Sequence, residues 1–300
     1  VARRLGISLT TVDFSEAYRK RVVDYMFSEY ERGRTPNPDV LCNREVKFDL
    51  FIHEARRLEA DYVATGNYCR KETLGAEGQK VHRLLRGLDP NKDQSYFLCQ
   101  LSQDQLRHAL FPIGQMLKQE VRDIAREQGL ATAERKDSQG ICFVGKVDLP
   151  EFLKQKLHAR EGRIIEIAGD LPEYADYARM HLEFLKSGQG IEALSADFAY
   201  SPEQGKLAGT HNGAHFYTIG QRKGLNIGGK AEPVFVISTD THQNTLYVGM
   251  GHDHPGLNRW GLFIPATDLH WIRPDLALKT GDDRRQLVRV RYRQPLQEAT

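Results

Sequence analysis

Cys42 and Cys142 are the residues of this chain best suited to chemistry, because each lies in a polar, turn-rich stretch rather than an apolar run. The first stretch reads GRTPNPDVLCNREVKF (Gly33 to Phe48), the second ERKDSQGICFVGK (Glu134 to Lys146). A cysteine acts as nucleophile or sulfur carrier through its thiolate, so local electrostatics decide its reactivity. Cys42 is expected at the start of a helix running from about Arg44, where free N–H groups and partial positive charge favour thiolate. Pro36 and Pro38 stiffen the preceding turn and are expected to exclude helix over Thr35 to Asn43. That turn presents Asn37, able to read an amide-like base edge, and Asp39, able to act as general acid or base. Cys142 follows Asp137, Ser138, Gln139 and Gly140 and precedes Gly145. Such a glycine-flanked loop suits a sulfur that accepts cargo and then swings to a substrate. Read singly, each is equally a small buried thiol. Cys69 and Cys99, in apolar or strand-like surroundings, read as packing residues.

Three further stretches carry polar groups in suggestive order. GLDPNKDQSYFL (Gly87 to Leu98) sets Lys92, Asp93 and Gln94 in a turn ahead of a helix. Lysine meets phosphate and glutamine bonds a base edge or backbone, but the triplet reads equally as a helix cap. TIGQRKGL (Thr218 to Leu225) places Gln221, Arg222 and Lys223 between glycines, a phosphate-contacting pattern. RRQLVRVRYR (Arg284 to Arg293) alternates Val288, Val290 and Tyr292 with Arg289, Arg291 and Arg293. On a strand this gives an apolar face and a row of guanidiniums; a solvated strand face is the plainer reading.

These residues need elements to hold them. Leu9 to Phe14 is expected as a strand, and Ser15 to Arg32 as a helix with Tyr18, Val22, Tyr25, Met26 and Tyr30 on one side, stopped by Gly33. A second helix carries Phe48, Phe51, Ile52, Ala55 and Leu58, and Asp61 to Gly66 is a short buried strand. Helices follow over Ser95–Leu110 and Lys118–Gln128. Alternation of this kind indicates an α/β layer with a mostly parallel sheet, whose ligands gather at the carboxyl ends of strands near Thr65, Gly66 and Asn67. Beyond about residue 160, RIIEI, HFYTIG, PVFVIS, TLYVGM, LFIPATDLHW and QLVRVRY read as strands, giving an all-β second half of one or two small barrels. Gly169 to Gln204 reads as an insert, partly helical.

Bulk composition narrows the function. The 300 residues carry 42 basic and 40 acidic side chains, so nucleic-acid binding has to come from local patches. Four cysteines without a CxxC argue against structural zinc and against a secreted disulfide scaffold. A reducing, cytoplasmic setting is expected, with no membrane span and no secretory signal. The opening VARRLG reads as the interior of a longer protein.

Taken together, TPNPDVLCN, ATGNY, DPNKDQSYFL, KDSQGICFVG, YTIGQRKGL and VRYRQ resemble, in order and spacing, the tRNA-specific 2-thiouridylase family, which thiolates the wobble uridine of tRNA. The resemblance implies an ATP-pyrophosphatase (Rossmann-like) α/β domain over 1–147, a small central β-rich tRNA-binding domain over 148–230 with the insert near 169–204, and a C-terminal β-barrel over 231–300. It implies Cys42 as catalytic nucleophile, Cys142 as persulfide carrier, a transient Cys42–Cys142 disulfide, and Asp39 as a catalytic group. Asn37, Pro38 and Asp39 would contact the target base and Gly66 the ATP. Asn67, Lys92, Asp93, Gln94, Arg291 and Tyr292 would contact tRNA, Asn67 standing where the family usually shows histidine. It further implies ATP with Mg2+, sulfur from a donor protein, no structural metal, and a monomer. The family's SGGxDS pyrophosphate loop is expected before Val1, so the stretch given is not expected to adenylate by itself.

Other readings stay open from the residues alone. A non-catalytic RNA-binding protein would use the arginine strand and the Lys92 turn and leave the cysteines passive. Another ATP-pyrophosphatase ligase acting on a small molecule would have no use for two loop cysteines. A redox-active disulfide protein would be expected to carry CxxC.

Overall fold

The computed structural model describes residues 1–75, 80–135, 149–292 and 294–300. The described residues of Val1–Val23, Asn37–Lys146 and His270–Thr300 form one compact unit, and those of Asp24–Pro36 and Val147–Leu269 form another. Among the described residues no helix is long and apolar enough to cross a membrane.

In the first unit, residues 38–57 make one continuous helix: Pro38–Leu41, then Cys42–Leu50 in wider π-type turns, then Phe51–Arg57. The helix therefore begins inside the stretch from which the prolines were expected to exclude it. Pro38 occupies the first helical position, where its missing N–H has no partner to lose and its fixed φ is already helical. A π turn closes on i+5 rather than i+4, which rotates Phe51 (43% exposed) away from the face that Phe48 and Ile52 bury. Strand β1 (Val63–Ala64) pairs in parallel with β4 (Ala109–Leu110); between them β2 (Cys69–Leu74) and β3 (Val81–Arg86) form an antiparallel pair. Phe48, Ile52, Val63, Cys69, Leu98, Leu101, Leu106 and Ala109 make the core beneath, with Cys69 a packing residue as expected.

Several local expectations are corrected here. Leu9 to Phe14 forms no strand. The long helix over Ser95–Leu110 is instead a single 3-10 turn (Ser95–Leu98) and a short helix (Gln103–His108) leading straight into β4. Ser102 and Gln105 close a reciprocal cap between them, so the helix start is set locally. The β2–β3 pair escapes sequence reading because its charged residues break the alternation.

The second unit is built on a mixed sheet ordered β6-β5-β8-β7, where β5 is Gly162–Ile167, β6 Gly205–His211, β7 Val234–Asp240 and β8 Thr245–Met250. Strands β5 and β8 run parallel and the outer pairings are antiparallel. Both faces are covered. Ile164, Val236, Leu246 and Val248 pack with Ala214 and Leu225 on one side. Ile165, Ile167, Ile237 and Tyr247 pack with Tyr174 on the other. Tyr174 belongs to the helix Pro172–Ser187, so the insert supplies the cover for the sheet's second face. Its hydroxyl lies 2.9 Å from that of Tyr200, and Tyr177 donates to Leu194 O at 2.7 Å. HFYTIG and LFIPATDLHW, expected as strands, are turns around Ala214–Phe216 and Ala266–Asp268. The chain then returns to the first unit with a short antiparallel pair, β9 (Gln286–Val288) and β10 (Gln297–Ala299). The alternating arginine strand thus stops at Val288.

Two glycines permit backbone contacts that nothing larger allows. A Cβ on Gly87 would lie 2.5 Å from Tyr68 O, and one on Gly114 only 1.7 Å from Cys69 O. Gly114→Ala is expected to cost about 2–4 kcal/mol, because backbone rather than a flexible side chain must move; urea unfolding reads this directly. A second expectation concerns His211 and His254, both buried in the second unit. Each Nδ1 accepts a backbone N–H, from Gly213 at 2.9 Å and Gly256 at 3.1 Å, and burial holds both rings below the usual histidine range. The unfolded chain then binds protons that the folded chain refuses, so stability is level above about 6.5 and falls as pH drops below it. Urea midpoints across a pH series measure the slope.

Candidate functional site

Within the first unit, a run of contacts ties four sequence-distant segments to the start of the Cys42 helix. Asn37 is the N-cap, its Oδ1 accepting the Asp39 N–H at 3.2 Å. Cys42 lies in the second turn, fully buried, its own N–H directed to Asp39 O and Pro38 O. It therefore sits above the free N–H groups of the first turn rather than among them. Among the described residues Asp39 Oδ1 is buried without a hydrogen-bond partner, and so is Asn43 Oδ1 one turn further on.

Asn43 provides the first link, its Nδ2 donating to Phe97 O at 3.0 Å. Arg44 adds a second, from Nη1 to Gln100 Oε1 at 2.8 Å, and Gln105 Nε2 donates to Arg44 O at 2.8 Å. Tyr96 and Phe97 in turn pack at tilted angles against Tyr292, ring centres 5.9 Å and 4.6 Å apart, and Tyr96 Oη donates to Val290 O at 3.4 Å. Arg291 is exposed beside this aromatic group. Gln94 joins the next segment: its Oε1 accepts the Tyr68 N–H at 3.0 Å, and its own N–H donates to Tyr68 O at 2.9 Å. That pairing fixes the ATGNY stretch, whose Asn67 O accepts the Cys69 N–H at 3.0 Å.

Gly66 is exposed at the carboxyl end of β1, and a Cβ there would meet only Ile113, at 4.0 Å. Thr65 Oγ1 beside it is buried without a partner among the described residues. In the Lys92 turn the three residues divide. Lys92 is half-buried with its N–H on Asp89 O at 3.1 Å. Asp93 is buried, Oδ1 accepting from Ser95 Oγ at 2.7 Å, Ser95 N–H at 3.1 Å and Gly87 N–H at 3.4 Å, so it shapes the turn from inside. Cys142, with Asp137, Ser138 and Gln139, lies outside the described residues.

In the second unit Gln221 accepts the Thr218 N–H at 3.1 Å and donates to Lys223 O at 2.8 Å. It braces its own turn, leaving Arg222 and Lys223 exposed. Arg222 borders a pocket of about 390 Å³ shared with Lys230, Glu232 and Val234. Among the described residues no group of three or more His, Cys, Asp or Glu side chains is gathered to hold a metal ion.

Asn43, Tyr96 and Phe97 are the site residues that sequence reading passed over. Asn43 was signalled only by its place beside Cys42. The aromatic pair was signalled only by its place after a polar turn.

Comparison with known proteins follows this geometry. Residues 1–146 match the family described as the tRNA methyl transferase HUP domain, and residues 196–250 the tRNA methyl transferase PRC-barrel domain. The tRNA-specific 2-thiouridylase MnmA of Flavobacterium johnsoniae is 55% identical over 302 residues, covering all of this chain and 75% of that protein. The same-named proteins of Christiangramia forsetii and Karelsulcia muelleri are 55% and 41% identical, each over 300 residues and with the same coverage.

Asp93→Ala is expected to destabilise by about 1–3 kcal/mol, because it strands buried donors of the turn. Circular dichroism melting checks this. A solvent-facing RNA contact would instead leave the free protein's melting unchanged.

Proposed function

Because this chain belongs to the tRNA-specific 2-thiouridylase family, we propose that it transfers sulfur to C2 of the wobble uridine of tRNA, in an ATP-dependent reaction carried by Cys42 and Cys142. The observation that supports this best is the joining of Cys42's helix start, the Gln94–Phe97 turn and the Arg291–Tyr292 segment through Asn43 and the Tyr96–Phe97–Tyr292 rings. A sulfur-bearing residue whose helix is tied through its neighbour Asn43 to an aromatic group suits an unstacked base. The matched domain descriptions name methyl transfer, but relatives matched over the whole chain are named for thiolation, and a cysteine-centred site favours sulfur.

An adenine nucleotide fits the carboxyl end of β1, where Gly66 leaves open space and Thr65 Oγ1 lacks a partner among the described residues. When bound there with Mg2+, ATP supplies the activation that makes the uridine C2 oxygen a leaving group. Everything else falls to the chain. Asn37, Pro38 and Asp39 meet the target base, and Asp39 moves protons at it. Lys92, Arg291 and Tyr292 hold the tRNA together with Asn67 and Gln94, while Asp93 acts chiefly by shaping their turn.

Cys142 brings its persulfide sulfur, received from a donor protein, to C2, and AMP departs. The Cys42 thiolate then attacks the Cys142 sulfur, releasing 2-thiouridine and leaving a Cys42–Cys142 disulfide, which a two-electron reductant reopens. A disulfide requires Cα atoms roughly 4.4–6.8 Å apart. Cys42 is fully buried, so the surface over its sulfur has to open before this exchange. The reading places the protein in the cytoplasm, working as a monomer on tRNA.

The test is mass spectrometry of tRNA nucleosides from cells that depend on the full-length gene. Cys42→Ser and Cys142→Ala are each expected to abolish 2-thiouridine while the protein stays folded and abundant. Unchanged 2-thiouridine in either variant would reject the mechanism in favour of a passive RNA-binding role.

A further inference from the structure

We infer that Asn43 reads the target base, its Oδ1 accepting the N3–H of uracil and so selecting uridine over cytidine. The inference rests on the thiolation reading above and adds a residue to it. Asn43 is 2% exposed, and its two ends differ sharply. Nδ2 donates to Phe97 O at 3.0 Å, which fixes the orientation of the amide, because the oxygen cannot face a carbonyl. Oδ1 is therefore obliged to be an acceptor, and it is buried with no hydrogen-bond partner among the described residues. Asp39 Oδ1, four residues earlier and so on the same helix face, is a second buried acceptor without a partner among the described residues.

A buried acceptor left unpaired is destabilising, and native proteins rarely keep one without cause. Here two stand one turn apart on either side of the nucleophile's position. Their shared need is a donor. Uracil carries one on its ring, N3–H, whereas cytosine has a lone pair at N3, which a fixed acceptor repels. Asn43 thus discriminates at N3 through a group that cannot flip. Binding of uridine also relieves the desolvation that the free protein carries at this atom. Phe97, whose carbonyl Asn43 holds, packs at a tilt against Tyr292, so the same amide links base reading to the aromatic contact surface.

The test uses the full-length protein and competition binding of tRNAs that differ only at the target position. These carry uridine, cytidine or N3-methyluridine. The wild type is expected to bind the uridine form roughly tenfold or more tighter than either of the others, one buried unpaired acceptor having about that value. Asn43→Ser is expected to bind all three alike, with melting and circular dichroism confirming that it folds. The wild-type comparison needs no variant, so it stands even where Asn43→Ser is unstable. A uridine preference retained in folded Asn43→Ser overturns the inference, as does a wild type indifferent to N3 methylation; a structural water as the sole partner of Oδ1 would give that result. If the wild type bound no tRNA and made no 2-thiouridine, the thiolation reading itself would fall, an outcome distinct from thiolation with unaltered base preference.

Discussion

The hydrogen bond from Asn43 to the Phe97 carbonyl joins segments 54 residues apart, and the arrangement around Cys42 depends on it. Its net contribution to stability is modest, about 1 kcal/mol for a typical pair. Its geometric effect is larger. It sets the start of the Cys42 helix against the Ser95–Leu98 turn, which in turn carries the rings that pack against Tyr292. The Arg44–Gln100 and Gln105–Arg44 bonds and the shared core of Phe48, Leu98 and Leu101 reinforce the same placement.

The helix that carries Cys42 is itself a compromise between packing and placement. Asn37 and Pro38 start it early, and the π-type turns from Cys42 to Leu50 then shift its phase. The shift keeps Phe48 and Ile52 in the core while turning Phe51 outward. Helices with such turns carry function often, because the widened spacing re-aims side chains at small cost. Here the widened stretch begins at Cys42 itself.

Support for the site comes from contacts that leave no room for alternatives. Gly87 and Gly114 bring backbone against backbone at Tyr68 and Cys69, and Gln94 clamps Tyr68 from both sides. Asp93 saturates its Oδ1 within its own turn. A turn whose polar groups are already satisfied holds its shape without a partner, so Lys92 and the neighbouring rings are displayed in advance of any ligand. The second unit follows the same economy: the insert's Tyr174 and Tyr177 cover a sheet face that would otherwise meet water.

Much of this was legible in the chain. The PNPD–Cys stretch, the KDQ turn, the glycine stops at Gly33 and Gly129 and the strands RIIEI, PVFVIS and TLYVGM follow from local chemistry, because spacing, capping and apolar periodicity act over a few residues. Less was legible where distant contacts decide. Pro38 was read as a helix breaker and is a helix starter, since only the following turns distinguish the two. The β2–β3 pair and β10 are too polar to announce themselves, while β9 was read within QLVRVRY; β6 is held by its neighbour β5 rather than by its own pattern. Sequence by itself determined which residues can do chemistry and in what order they occur. Tertiary structure alone decided that Asn43 and Asp39 hold acceptors unpaired among the described residues, that Asp93 faces inward, and that Cys42 is covered. Burial and hydrogen-bond satisfaction are properties of what surrounds a residue, and those surroundings come from segments far away along the chain.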